Sequence, residues 1–214
     1  MPKTEPFEQH QTEYEQWFDD YKPVYLSELE AIRKVLPASG AGVEIGVGSG
    51  LFAAPLGIRN GCDPSPAMLK KAIERGIYAV EGVAEALPYR DETFDYALMV
   101  TAICFVDDPA KSVAEAYRIL RNGGKFVIGF VDKDSPVGKK YQEYKSESTF
   151  YRDATFFSTD DICNLLKNNG FEIVRTVETV FGGLNDVQEP QESREGHGEG
   201  SFVVVVGEKK SVTQ

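Results

Sequence analysis

The chain has 214 residues, 42% hydrophobic and 27% charged, a balance that suits one α/β domain around a single core and argues against disorder or coiled coil. Its formal charge of −11, from 34 Asp and Glu against 23 Lys and Arg, is the wrong sign for tracking a phosphate backbone, so no nucleic acid partner is expected. No apolar run approaches the ~20 residues that span a bilayer, and the start MPKTEPFEQH lacks an apolar signal core, so the expectation is a cytoplasmic protein with no membrane partner.

Tyr14, Trp17, Phe18 and Tyr21 recur at i, i+3, i+4 and i+7, which predicts an aromatic-faced helix. Pro23 interrupts it, and a second periodic run through Leu29, Ile32 and Leu36 stops at Pro37. Residues 1–37 thus read as a helical cap. The stretch AGVEIGVGSG then reads as a strand followed by a glycine turn, and Ile58 to Cys62 as a second strand. Ser65, Pro66 and Gly76 punctuate the next helix. Ile77 to Val80 and Thr93 to Val100 predict strands, and Asp108, Pro109 and a closing Gly123 bracket a helix before the strand Lys125 to Val131. Ser158 with Asp161 forms a capping box, and the two β-rich runs Glu172 to Phe181 and Phe202 to Val206 follow, expected to pair antiparallel. Residues 132–157 and 182–200 lack a regular pattern, and loops that long in a compact domain are candidate substrate lids. The alternation predicts an α/β fold spanning 1–214 as one domain. It is a doubly wound, Rossmann-like, mostly parallel seven-stranded sheet with an antiparallel last strand and helices on both faces.

Glu44, Gly46, Gly48 and Gly50 form E-x-G-x-G-x-G where the first parallel strand ends. Ligands of open α/β sheets sit beyond the carboxyl ends of the strands, and glycines let the backbone approach them closely. The dinucleotide spacing G-x-G-x-x-G fails, because Leu51 stands at the sixth position counted from Gly46 and Ala53 at the sixth from Gly48. An acid two residues before the first glycine suits a ligand with a cationic amino-acid end, as S-adenosylmethionine has. Asp63, 19 residues after Glu44, stands at the tip of the second strand, where a carboxylate accepts both ribose hydroxyls.

The segments VEIGVGSG, CDPSPAML, GVAEALPYRDETFDYALM and TAICFVDDPAKSVAEAYRILRNGGKFVIG together resemble class I S-adenosylmethionine-dependent methyltransferases of the small-molecule type, over roughly Val43 to Phe130. The resemblance implies that Gly46, Gly48 and Gly50 line the methionine moiety, that Asp63 holds the ribose and that Met68 packs near adenine. It places Gly82, Val83 and Ala84 along the adenine edge. Many relatives carry an acid where this chain has Val83, and Glu85 is the candidate substitute. Thr101 and Ala102 border cofactor and acceptor.

Methyl transfer from a sulfonium is an in-line displacement with an activated leaving group, so alignment and exclusion of water carry most of the catalysis and no catalytic residue is assigned. Tyr14, Trp17, Tyr21, Tyr151 and His197 are candidate substrate or lid residues. Cys62, Cys104 and Cys163 are odd in number and form no CxxC pair, and the only histidines, His10 and His197, are far apart; they suggest neither disulfides nor a metal site, and Cys104 reads as a buried thiol. The expected partner is a small-molecule methyl acceptor, and S-adenosylhomocysteine the second product. Two alternatives stand beside this reading, an NAD-dependent oxidoreductase and a non-catalytic S-adenosylmethionine-binding module.

Overall fold

The structure, a computed structural model, describes residues 3–210. Three helices come first: α1 (Glu5–Gln9), α2 (Gln11–Asp20) and α3 (Lys22–Val35). Pro23 falls in the first turn of α3, where its missing N–H has no intrahelical acceptor to lose. α1 buries no residue, α2 buries Phe18, and α3 buries a stripe from Val24 through Ser27, Glu28, Ala31 and Ile32 to Val35 at helical spacing.

The alternating part then runs β1 (Gly42–Ile45), α4 (Ala53–Leu56), β2 (Asn60–Asp63), α5 (Pro66–Glu74), β3 (Tyr78–Glu81), β4 (Phe94–Val100), α6 (Pro109–Ile119) and β5 (Leu120–Val131). These strands pair in parallel in the order β3-β2-β1-β4-β5. After α7 (Pro136–Glu143), α8 (Thr159–Asn168) and β6 (Phe171–Thr179) come β7 (Arg194–Glu195) and β8 (Phe202–Lys209). β8 inserts between β5 and β6 antiparallel to both, completing β3-β2-β1-β4-β5-β8-β6-β7. The doubly wound, mostly parallel architecture is as expected, with eight strands rather than seven.

Side-chain alternation along the central strands feeds two cores. Leu98, Val100, Val127, Val204 and Val206 pack with Leu29 and Ile32 of α3 and Leu69 of α5. Their neighbours Ala97, Met99, Phe126, Ile128, Val203 and Val205 pack with Val113 and Ile119 of α6 and Ile162 of α8 on the opposite face. Helices therefore cover both sides, as a buried parallel sheet requires.

Three expectations need correction. The helix after Asp108 ends at Ile119 rather than near Gly123, and the chain passes directly into β5. Phe94 pairs with Leu120 but Tyr96 with Lys125, so 121–124 bulge out of the ladder, and Gly123 (φ 74°) serves that bulge instead of a helix end. The 132–157 segment contains α7, whose N-cap Ser135 accepts from the Gly138 N–H at 3.0 Å, with Pro136 in the first turn. The 182–200 segment contains β7, whose two residues pair with Val177 and Glu178.

Both segments are fastened by buried groups. The Asp132 carboxylate accepts from the Thr159 N–H (2.7 Å) and hydroxyl (2.6 Å), tying the end of β5 to the start of α8. Glu178 accepts from the N–H groups of Glu199 (2.9 Å) and Gly200 (2.7 Å). The Gln191 N–H donates to Ser27 Oγ at 2.8 Å, and Lys34 Nζ donates to the Ser193 carbonyl at 3.1 Å, so 182–200 is bolted to α3. Among the described residues no helix is long and apolar enough to cross a membrane.

Candidate functional site

β1 ends at Ile45, and the chain turns sharply through residues no side chain would allow. Gly46 has φ 73°, and a Cβ there would lie 2.5 Å from that of Ala102. The turn is pinned to β2, because the N–H groups of Gly46 and Val47 both donate to the Cys62 carbonyl, at 2.8 and 3.0 Å. Asp63 follows at the tip of β2. Its Oδ2 accepts from the Gly48 N–H and its Oδ1 from the Ser65 N–H, each at 2.9 Å, so the carboxylate is fixed between two loops with lone pairs to spare. Burial raises the Asp63 pKa, while these two N–H groups pull it down. Ser65 also caps α5, its Oγ accepting from the Met68 N–H at 3.2 Å.

Beyond the carboxyl ends of β1 to β5 lies a cavity of about 540 Å³, within the roughly 300–1,000 Å³ of small-molecule sites. Gly46 and Gly48, then Asp63 and Met68, then Gly82, Val83, Ala84 and Glu85, then Thr101 and Ala102 form its floor in strand order. The opposite wall comes from Phe7, Tyr14, Trp17 and Phe18 of α1 and α2, Glu28 of α3, Tyr141 of α7, and Phe150 and Tyr151. Rings knit that wall together: Tyr14 meets Phe7, Phe18 and Phe150 at 5.7, 5.2 and 6.0 Å, and Tyr141 stacks on Tyr151 at 4.7 Å.

Most of the residues singled out from the sequence converge on this cavity, but four do not line it. Glu44 is 1% exposed on β1; its carboxylate takes the Ala53 N–H, and its Oε2 has no partner among the described residues. Burial raises its pKa well above the ordinary value, and its bond ties β1 to the start of α4. Gly50 suits its left-handed backbone (φ 84°), and a Cβ there would also press on the movable end of the Ile77 side chain. Tyr21 leans on Trp17 at 5.4 Å outside the cavity wall, and His197 lies exposed in the loop between β7 and β8. Glu85 does line the cavity, yet its Oε1 accepts from the N–H groups of Asp107 (2.7 Å) and Asp108 (3.1 Å), joining the loop after β3 to the start of α6. Cys104 donates to the Thr101 carbonyl at 2.9 Å, and burial pushes its thiol up to about 12, leaving no nucleophilic thiolate.

Glu28 was not anticipated, while Tyr141 and Phe150 fall within the 132–157 segment expected as a lid without being singled out. The signal for Glu28 is an acid on the apolar stripe of α3, four residues after Val24 and four before Ile32. Burial pushes its carboxyl up to about 8.

A side-chain-free turn, a fixed carboxylate with open lone pairs 15 residues after Gly48, and an apolar slot beside Met68, Val83 and Ala84 fit an adenosyl amino acid. Fold and site together define a Rossmann-like protein with a ligand-sized cavity at the strand carboxyl ends. The methyltransferase domain family matches residues 43–128. The chain is 42% identical over 203 residues to an uncharacterized protein of Methanocaldococcus jannaschii, covering 95% of this chain and 98% of that one. Its fold matches the crystal structure of a Thermotoga maritima S-adenosylmethionine-dependent methyltransferase, described as a possible histamine N-methyltransferase, with TM-score 0.94, 48% identity and coverage of 96% and 99%. A Haloferax volcanii methyltransferase in complex with the Trm112 methyltransferase activator shares the fold alone, at TM-score 0.75 and 17% identity over 99% of each chain. The chain belongs to the class I S-adenosylmethionine-dependent methyltransferases.

Proposed function

We propose that this protein transfers the methyl group of S-adenosylmethionine to a small-molecule acceptor enclosed in the same cavity. The observation that carries this reading is the continuity of that cavity, which runs from Gly46, Gly48 and Asp63 into a walled aromatic space. S-adenosylmethionine supplies a methyl group on a sulfonium, already activated for displacement. The chain's part is to hold and align. Gly46 and Gly48 leave room for the methionine end, Asp63 accepts the ribose hydroxyls, and Gly82, Met68, Val83 and Ala84 flank the adenine. Thr101 borders both ligands. Tyr14 and Trp17 close the space from above, where aromatic faces suit a sulfonium and exclude water.

In this reading residues 1–37 and 132–157 form a cap over one catalytic domain spanning 1–214, residues 182–200 support it, and the protein works in the cytoplasm. The description of the Thermotoga relative puts amines first among acceptors to screen.

Isothermal titration with S-adenosylhomocysteine, S-adenosylmethionine and NAD, repeated on Asp63→Ala, tests the reading. Binding of the first two that the substitution abolishes is the expected result, followed by methyl transfer in the screen. Binding of NAD alone overturns it, and cofactor binding without transfer to any acceptor leaves a binding module.

A further inference from the structure

Resting on that methyl-transfer reading, we propose that the acceptor is a small amine, held as its cation by the Glu28 carboxylate, which then takes its proton. Glu28 is 5% exposed, lines the cavity from α3, and its carboxylate has no hydrogen bond or ion pair among the described residues. Its titratable neighbours are phenols: Tyr14 of α2, Tyr25 of α3, Tyr141 of α7, and Tyr151, all of whose ionisation the Glu28 charge opposes. Val131 of β5, Val180 after β6, and Ser201 and Phe202 at the start of β8 add no charge to the wall. Burial is the sole perturbation acting on the Glu28 carboxyl, so no Lys, Arg or His opposes it.

A buried carboxylate is normally paired, because an unpaired one forfeits hydration without compensation. Here the pair is missing and the side chain lines a cavity, so the arrangement is complete only when a cation occupies it. Aromatic faces from Tyr14, Tyr141 and Tyr151 favour the same charge. A neutral acceptor leaves the acid unpaired, and an anionic one is repelled.

The chemistry closes around one proton. The acid is held neutral in the empty cavity, at about 8, and arrival of an ammonium releases its proton to solvent and forms the ion pair. An N–H proton of the bound ammonium then passes to a Glu28 oxygen, freeing the nitrogen lone pair. That lone pair forms the N–CH3 bond as the S–CH3 bond breaks, with the bonding electrons remaining on sulfur as the neutral thioether. The methylated ammonium departs and Glu28 is left protonated, as it began.

The test titrates the S-adenosylhomocysteine complex at pH 7 with 2-phenylethylamine, tyramine and 1,4-diaminobutane, and with 2-phenylethanol and phenylacetate as uncharged and anionic counterparts. Buffers of different ionisation enthalpy report protons released. The expectation is that an amine binds with proton release, that the two counterparts bind more weakly, and that Glu28→Gln weakens the amine by roughly 30-fold or more and abolishes the release. The same variant should keep its affinity for S-adenosylhomocysteine within about twofold, well under 1 kcal/mol. Failure of every amine to bind, tighter binding of the alcohol or carboxylate, an unchanged amine affinity in the variant, or an equal loss of S-adenosylhomocysteine affinity would each overturn the assignment. If the unsubstituted protein fails to bind S-adenosylhomocysteine, the methyl-transfer reading falls with it.

Discussion

Replacing Gly46 and Gly57 each by Ala separates backbone strain from steric conflict in the glycine turn. Their φ values, 73° and 75°, are nearly the same, so the left-handed penalty of roughly 1–2 kcal/mol for a residue with a Cβ applies equally. The entropy that Ala removes from the unfolded chain offsets roughly 0.4–1 kcal/mol of it at both sites. A Cβ at Gly57 meets nothing within 4 Å, whereas one at Gly46 lies 2.5 Å from the Ala102 Cβ, which has no rotamer by which to escape. Gly57→Ala should therefore lower stability by at most about 1.6 kcal/mol, and Gly46→Ala by a further ~1–3 kcal/mol of overpacking. For a chain of this size that difference is about 2–12 °C in Tm. Gly46 lines the cavity and Gly57 does not, so only Gly46→Ala should also weaken S-adenosylhomocysteine binding. Differential scanning calorimetry with isothermal titration reads both effects. Equal melting temperatures and equal affinities in the two variants would refute the steric account of the turn.

Three further outcomes follow from the same geometry. Asp63→Asn keeps one acceptor oxygen where two N–H groups now find one each, so an amide N–H must face the Gly48 or Ser65 N–H; ligand-free stability should fall by about 1–3 kcal/mol and S-adenosylhomocysteine affinity by about tenfold or more, and an unchanged titration would sink the ribose assignment. The Glu28 carboxyl is moved from an ordinary 4.5 to about 8, so between those pH values the folded chain holds a proton that the unfolded chain has released, and stability falls as pH rises through that window. Glu28→Gln removes this slope; in urea titrations its advantage should grow from about pH 5, level off above about pH 8 and reach at most about 5 kcal/mol, while an offset independent of pH would refute the burial argument. With an aromatic disulfide reagent at pH 8, the half-buried Cys163 should react first, because Cys62 and Cys104 are both buried and pushed up to about 12; prompt labelling of Cys104 would contradict its closed surroundings.

The region from β1 to α6 was legible because its local chemistry and its tertiary role agree. Ser65 and Asp108 cap the helices they precede, and Gly46, Asp63 and Gly82 stand at successive strand ends, so a linear reading finds a three-dimensional row. What escaped was set by partners distant in the chain. α7 spans eight residues, too few to display a periodic face. The two-residue β7 exists only because the end of β6 offers it an edge. The place of β8 between β5 and β6 depends on crossovers that strand periodicity does not encode. The spacing of Glu44 marked it as a ligand group, and the structure buries its carboxylate against the Ala53 N–H, outside the cavity lining. Glu28 was overlooked because a single acid in an amphipathic helix ordinarily belongs to its solvated face, and only the burial of that stripe reveals otherwise.

The roof of the cavity is held very unevenly. α3 carries seven buried residues, and through Ser27 and Lys34 it is laced to the 182–200 segment, so raising it would strip apolar area from the core and break bonds to Gln191 and Ser193 together. α1 carries none, and Phe7 rests on Tyr14, Phe105 and Phe150 by ring edges and tilted faces. Thermal fluctuation therefore has one soft flap to work on and one stiff frame, with the carboxylate of Glu28 on the frame. A molecule passing through the flap side meets an acid whose position does not drift as the opening breathes.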